Sequence, residues 1–149
     1  MTIAAARQAR VDQPGDGAAA RPGPARVALT EIRLTDFRNY GSLRLDLDGR
    51  HVVLAGDNGA GKTNLIEAVS LLSPGRGLRR ATLDEMARTG ASGTFAVAAV
   101  LDGPDGAVRI GTGVTEPDAA AGERSRRVRI DGVAQKSAEA MLDHVRVLW

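Results

Sequence analysis

The chain has 149 residues, 43% hydrophobic and 26% charged, which suits one globular domain or a piece of a larger one. With no cysteine, a disulfide scaffold, a cysteine-ligated zinc site and a cysteine nucleophile are excluded, and His51 and His144 lie too far apart to read as a metal pair. Bases and acids number 20 and 18, so the net charge of +2 leaves only local clusters as an argument for nucleic acid.

Residues 1–26 are rich in Ala, Pro, Gly and Arg without an apolar period and read as a disordered tail. A transit peptide is the competing reading, against which stand Asp12, Asp16 and the prolines; a wrongly chosen start codon would give the same pattern. Val27 to Leu34 reads as a strand and Thr35 to Gly41 as a connection. Leu43, Leu45 and Leu47 alternate with Arg44, Asp46 and Asp48, the period of a half-buried strand. His51 to Ala55 is a short apolar run, expected to be a strand buried on both faces.

After a glycine-rich loop, Lys62 to Leu72 predicts a helix with Leu65, Ile66, Val69 and Leu72 on one face, stopped by Ser73-Pro74-Gly75. Thr82 and Glu85 fit a capping box that opens a short helix to about Arg88. Thr94 to Leu101 and Ala107 to Thr115 predict two strands around an Asp102 to Gly106 turn. Glu116 to Gly122 reads as a flexible loop, Arg126 to Ile130 as a strand ended by Asp131-Gly132, and Ser137 as the cap of a helix to about Asp143. Val145 to Trp149 begins another apolar strand. The longest unbroken apolar run, Phe95 to Leu101, is far shorter than the roughly 20 residues of a membrane-spanning helix.

One motif carries chemistry. Gly56-Asp57-Asn58-Gly59-Ala60-Gly61-Lys62-Thr63 matches G-x-x-x-x-G-K-[ST], the phosphate-binding loop. Its glycines permit the backbone angles that turn N–H groups inward on phosphate oxygens. The following helix presents its positive dipole end, Lys62 a mobile charge and Thr63 a hydroxyl for Mg²⁺. At this composition the match arises by chance roughly 0.003 times per chain. The acid that would hold Mg²⁺ after a second buried strand is harder to find. Asp102 follows Val97 to Leu101 but reads as a turn residue, with metal ligation as the alternative, and Asp131 reads as a turn residue too. Arg76, Arg79 and Arg80 form one basic cluster, and Arg124, Arg126, Arg127 and Arg129 another. Solvated surface is the ordinary reading of both; phosphate or DNA contact is the alternative for the first.

Four segments together resemble the RecF family, bacterial recombination and repair ATPases related to SMC heads. They are Leu34 to Tyr40 with its Phe37-Arg38-Asn39-Tyr40, Gly56 to Ala68, Gly75 to Arg79, and Val128 to Gly132. The resemblance runs from about Val27 to Trp149. It implies an α/β P-loop NTPase fold of the ABC/SMC head type, with a mixed sheet, an antiparallel β lobe over about 94–130, and an incomplete C-terminus. It implies ATP and Mg²⁺ as cofactors, with Gly56, Asp57, Asn58, Gly59, Ala60, Gly61, Lys62 and Thr63 as nucleotide ligands and Thr63 on Mg²⁺ through the nucleotide. Arg76 and Arg79 become candidates for phosphate or DNA contact. It further implies a cytoplasmic protein of DNA replication, repair, recombination and the SOS response to DNA damage. Such a protein binds single-strand/double-strand junctions, dimerises on ATP when full length, and helps mediator proteins load RecA, with no membrane involved. The family's helical arm, signature motif and acidic catalytic segment have no counterpart here. The chain therefore reads as an amino-terminal part with no catalytic residue of its own, and turnover is not expected. An ABC transporter or SMC-like head, or a small P-loop kinase, are the alternatives; Phe37 to Tyr40 favours RecF.

Overall fold

The structure, a computed structural model, describes residues 26–115 and 125–149 and the backbone of Ala4–Ala5. The rest of the expected tail, the Glu116 to Gly122 loop and Arg124 lie outside the described residues.

Strands β2 (Ala28–Phe37) and β3 (Tyr40–Asp46) form a hairpin; β1 is the Ala4–Ala5 pair. A connection was expected from Thr35 to Gly41, but the strands run on and only Arg38 and Asn39 turn. Asp36 and Arg38 reach left-handed backbone at φ 46 and 54, which lets the chain reverse within two residues. The reversal buries Phe37 and Tyr40 in the core. It is held by the Arg38 N–H on the Met86 carbonyl at 2.8 Å and the Arg88 N–H on the Asp36 carbonyl at 2.7 Å.

β5 (Phe95–Gly103) and β6 (Gly106–Val114) make a second hairpin through Pro104 and Asp105. β7 (Arg127–Ile130) turns at Asp131-Gly132 into a short β8 (Val133–Ala134) that the sequence did not announce. The sheet runs β3-β2-β5-β6-β7-β8, every pairing antiparallel, so the β lobe is wider than 94–130 and includes the first hairpin. Register places Leu43, Leu34, Val97, Thr112 and Val128 in one row across it, and Leu45, Ile32, Ala99, Ile110 and Ile130 in the next. These rows form the inner face. Helices α1 (Lys62–Ser70) and α2 (Leu83–Met86) and the 3-10 helix Ala138–Asp143 bring Leu65, Leu71, Leu72, Met86 and Met141 into the same core. Burial of each such side chain contributes about 1.5–3 kcal/mol.

Several expectations are corrected. The run His51 to Ala55 is a strand only at β4 (Leu54–Ala55), paired with β1, and Val52 and Val53 are about half exposed at 45% and 49%. An apolar run becomes a buried strand only with hydrogen-bonding neighbours on both sides, and the described residues supply β1 alone. Val145 to Trp149 forms no strand for the same reason, and Leu148 is 94% exposed. Ile66 leaves the inward face of α1, whose place is taken by the fully buried Glu67. The capping box closes as expected, but α2 ends at Met86 instead of near Arg88, because Ala87 bridges to Phe37. The last helix is 3-10, and Ser137 precedes it without a side-chain bond to its backbone. Asp102 pairs with Ala28 and Ala107 beside the Pro104-Asp105 turn, exposed.

Arg126 departs from the reading of its cluster as solvated surface, whereas Arg127 and Arg129 are exposed as expected. Its guanidinium donates to Thr112 Oγ1 at 2.7 Å, to the carbonyls of Gly75 at 2.6 Å and Ser73 at 3.2 Å, and to that of Leu71. Leu71 caps α1, whose end carries negative dipole and unpaired acceptors, and Ser73 and Gly75 lie in the segment that follows it. Burial lowers the Arg126 pKa, yet an arginine stays charged. We expect Arg126→Ala to cost about 2 kcal/mol, because it strands acceptors in the interior. Urea denaturation checks this, with Arg126→Lys recovering only part of the loss since one ammonium cannot span the set.

Candidate functional site

The loop Gly56 to Gly61 joins β4 to α1 and lies open to solvent from Gly56 to Gly59. Its shape follows from its glycines: Gly56, Gly59 and Gly61 hold φ 146, 83 and 97, a region that side chains rarely adopt. The Ala60 N–H closes a turn on the Asp57 carbonyl at 3.2 Å. Lys62 curls back, its Nζ donating to the carbonyls of Gly56 and Asp57, both at 2.7 Å, which parks a cation against the loop. Thr63, in the first turn of α1, is exposed. Loop amides, helix N-terminus, ammonium and hydroxyl are thus gathered within eight consecutive residues, a donor set suited to a polyphosphate.

The hairpin turn supports this loop from below. Tyr40 Oη donates to the Gly61 carbonyl at 3.1 Å. Burial pushes the Tyr40 phenol above its ordinary range, so it remains a donor at neutral pH. Asn39 Oδ1 accepts from Asn64 Nδ2 at 2.8 Å. A Cβ on Gly61 would stand 2.7 Å from both Asn39 Nδ2 and Tyr40 Oη, so only glycine fits between the turn and the helix.

A second layer is charged. Arg38 forks onto Glu67, Nε to Oε2 at 2.8 Å and Nη2 to Oε1 at 2.6 Å, and its Nη1 donates to the Glu85 carbonyl at 2.5 Å. Arg79 Nη1 reaches Asn64 Oδ1 at 3.0 Å and Glu67 Oε2 at 3.4 Å. Arg79 thus joins the helix of the loop, whereas Arg76 is exposed and lines a separate hollow with Thr82 to Asp84. Asn64 and Glu67 were given no role from sequence. Their signal was positional: both polar residues fall three apart on the helix that starts at the loop. Among the described residues, no group of three or more His, Asp or Glu stands close enough to hold a metal ion, and no helix is long and apolar enough to cross a membrane.

No family model matches the chain. Curated proteins do. It is 56% identical over 126 residues to the DNA replication and repair protein RecF of Rhizobium leguminosarum bv. trifolii (strain WSM2304), covering 85% of this chain and 33% of the relative. Against the protein of that name in Agrobacterium fabrum (strain C58 / ATCC 33970), identity is 58% over 126 residues, covering 83% and 32%. A solved structure of the recombination mediator protein RecF-ATP in the RecFOR pathway superposes at TM-score 0.63 with 26% identity, covering 80% of this chain and 31% of that one. A structure from work on ATP-driven dimerization and DNA-stimulated activation of SMC ATPases gives 0.62 at 17% identity, over 78% and 76%, and speaks for the fold alone.

Sheet, loop and helix are those of a partial P-loop head of the ABC/SMC type. At 56–58% identity the chain is similar to the RecF proteins over a stretch that spans about a third of the length of these curated relatives.

Proposed function

We propose that the chain is the nucleotide-binding part of a DNA replication and repair protein. The observation that carries this is the loop Gly56 to Thr63, opened by left-handed glycines and closed on the Lys62 ammonium. ATP is the ligand this loop fits: the amides from Gly56 to Gly61 would hold phosphate oxygens, Lys62 would supply charge for the terminal phosphates, and Thr63 would offer its hydroxyl to Mg²⁺ carried in with the nucleotide. Magnesium there would neutralise charge on the phosphates. Arg79, 3.0 Å from Asn64 on the helix that follows the loop, is a further candidate for phosphate or DNA contact.

The relatives' shared name supports the setting of replication and repair, and the solved RecF-ATP structure supports the nucleotide. On this reading the whole protein works in the cytoplasm on gapped or junction DNA, dimerises on ATP, and serves recombination and the SOS response with mediator proteins and RecA. No catalytic residue is assigned to this chain.

The test is calorimetric titration with ATP and Mg²⁺. The chain should bind, and Lys62→Ala should weaken binding about 100-fold by removing the charge-assisted contacts. Equal heats from both proteins would defeat the assignment. A malachite-green assay should find no steady phosphate release.

A further inference from the structure

We propose that the outer face of the six-stranded sheet binds the sugar-phosphate backbone of double-stranded DNA, with Arg109 and Arg129 as its phosphate contacts. The proposal rests on the reading above and supplies a surface for the DNA.

Register builds the surface. Arg44, Arg33, Ala98, Gly111 and Arg129 lie side by side across five strands, and Glu31, Val100 and Arg109 form the neighbouring row. Arg33 and Arg129 are three strand spacings apart, about 14 Å. Between them Ala98 and Gly111 make a low floor under a hollow of about 480 Å³. One rim is close to neutral: Glu31 takes Arg33 at 2.7 Å and Arg44 at 2.8 Å, and Asp46 also takes Arg44 at 2.8 Å. The other rim carries the attraction. Arg109 and Arg129 are exposed, and among the described residues neither guanidinium has a hydrogen-bond or ion-pair partner. The nearby Asp131 carboxylate is engaged by the Arg109 backbone N–H at 2.8 Å. Arg127 stands on the same face, opposite Gly113.

The chemistry selects the partner. Guanidinium forks match phosphate oxygens in pairs. A protein partner would want an apolar anchor, and with Ile110 fully buried in the core the floor offers no exposed side chain larger than Val100. Single strands are held by stacking on aromatic rings, but none lines this hollow: Phe37, Tyr40 and Phe95 are buried in the core, and the exposed Trp149 is not among the residues around it. What remains is the continuous backbone of a duplex, bound without regard to sequence.

The experiment is fluorescence anisotropy of a labelled duplex over a salt series, with the chain and three variants. Arg109→Ala/Arg129→Ala should bind at least about tenfold more weakly at low salt, and the slope of log affinity against log salt should become shallower by about two. Gly111→Glu tests the floor independently: a Cβ there meets nothing within 4 Å, so the fold tolerates it while a carboxylate enters the hollow. It should weaken binding as well. Arg50→Ala/Arg146→Ala, at residues that do not line the hollow, should not. Circular dichroism must show all four proteins folded. If the wild type binds and both face variants match it in affinity and slope, the surface proposal falls and the DNA reading survives. If the folded wild type binds no duplex at low salt, both fall. Equal loss of poly-glutamate binding with no loss of duplex binding would reassign the face to an acidic protein and overturn the proposal.

Discussion

Glu67→Leu lowers the free energy of unfolding by about 4 kcal/mol, read as a fall in the urea midpoint at unchanged slope. The Glu67 side chain is 0% exposed and that of Arg38 16%, so deleting the carboxylate leaves a guanidinium largely cut off from water, without its counter-charge and with the Glu85 carbonyl alone to accept from it. The loss is not the worth of the pair, because two charges were desolvated to form it. The double substitution Arg38→Met/Glu67→Leu should therefore recover most of the stability. It should not recover nucleotide affinity, since Arg79 would lose its Glu67 contact and the turn beside the loop its Arg38 anchor. Separate recovery of folding and binding is the informative outcome. If the double variant is as unstable as the single one, the network is packing and the charges are incidental.

Gly61→Ala should reduce ATP affinity by 100-fold or more, as measured by the same calorimetry. Two effects coincide at this position. An alanine at φ 97 carries a backbone strain of about 1–2 kcal/mol, and its methyl would lie 2.7 Å from Tyr40 Oη and Asn39 Nδ2. Tyr40 is buried and cannot swing aside without leaving the core. Helix and turn must part, which carries the amides of the loop out of register. Gly59→Ala separates the two effects: φ is 83, but nothing lies within 4 Å of the added carbon, so only strain applies. Binding by this variant should fall about tenfold. Equal losses at the two positions would mean that the contact with Asn39 and Tyr40 is unimportant.

The loop could be read from sequence because its physics is local. Glycines, lysine and threonine at fixed spacing specify a turn, a helix start and a charge without help from the rest of the chain. The hairpins were legible for a similar reason, since alternation at Leu43 and Leu45 and the turn residues around Pro104 act over a few positions. What failed depends on distant neighbours. Nothing within His51 to Val53 reveals whether strands flank it. Arg38 and Glu67 are 29 positions apart, and Arg126 meets the Gly75 carbonyl 51 positions away. Charged residues of this kind look like surface until the fold brings them onto a buried carboxylate or a helix end. The motif Phe37-Arg38-Asn39-Tyr40 was therefore visible as a family likeness, while its work as a support under the loop became legible only in three dimensions.

The grip of Arg126 on the C-cap of α1 and the segment just after it has a further implication when set beside that of Tyr40 on the start of the helix. A rod bolted at each end to the same plate can neither slide along it nor tilt away. Any strain that a ligand puts on the front of the rod is therefore transmitted to the plate as a whole. The sheet and the loop should travel together as one rigid lever.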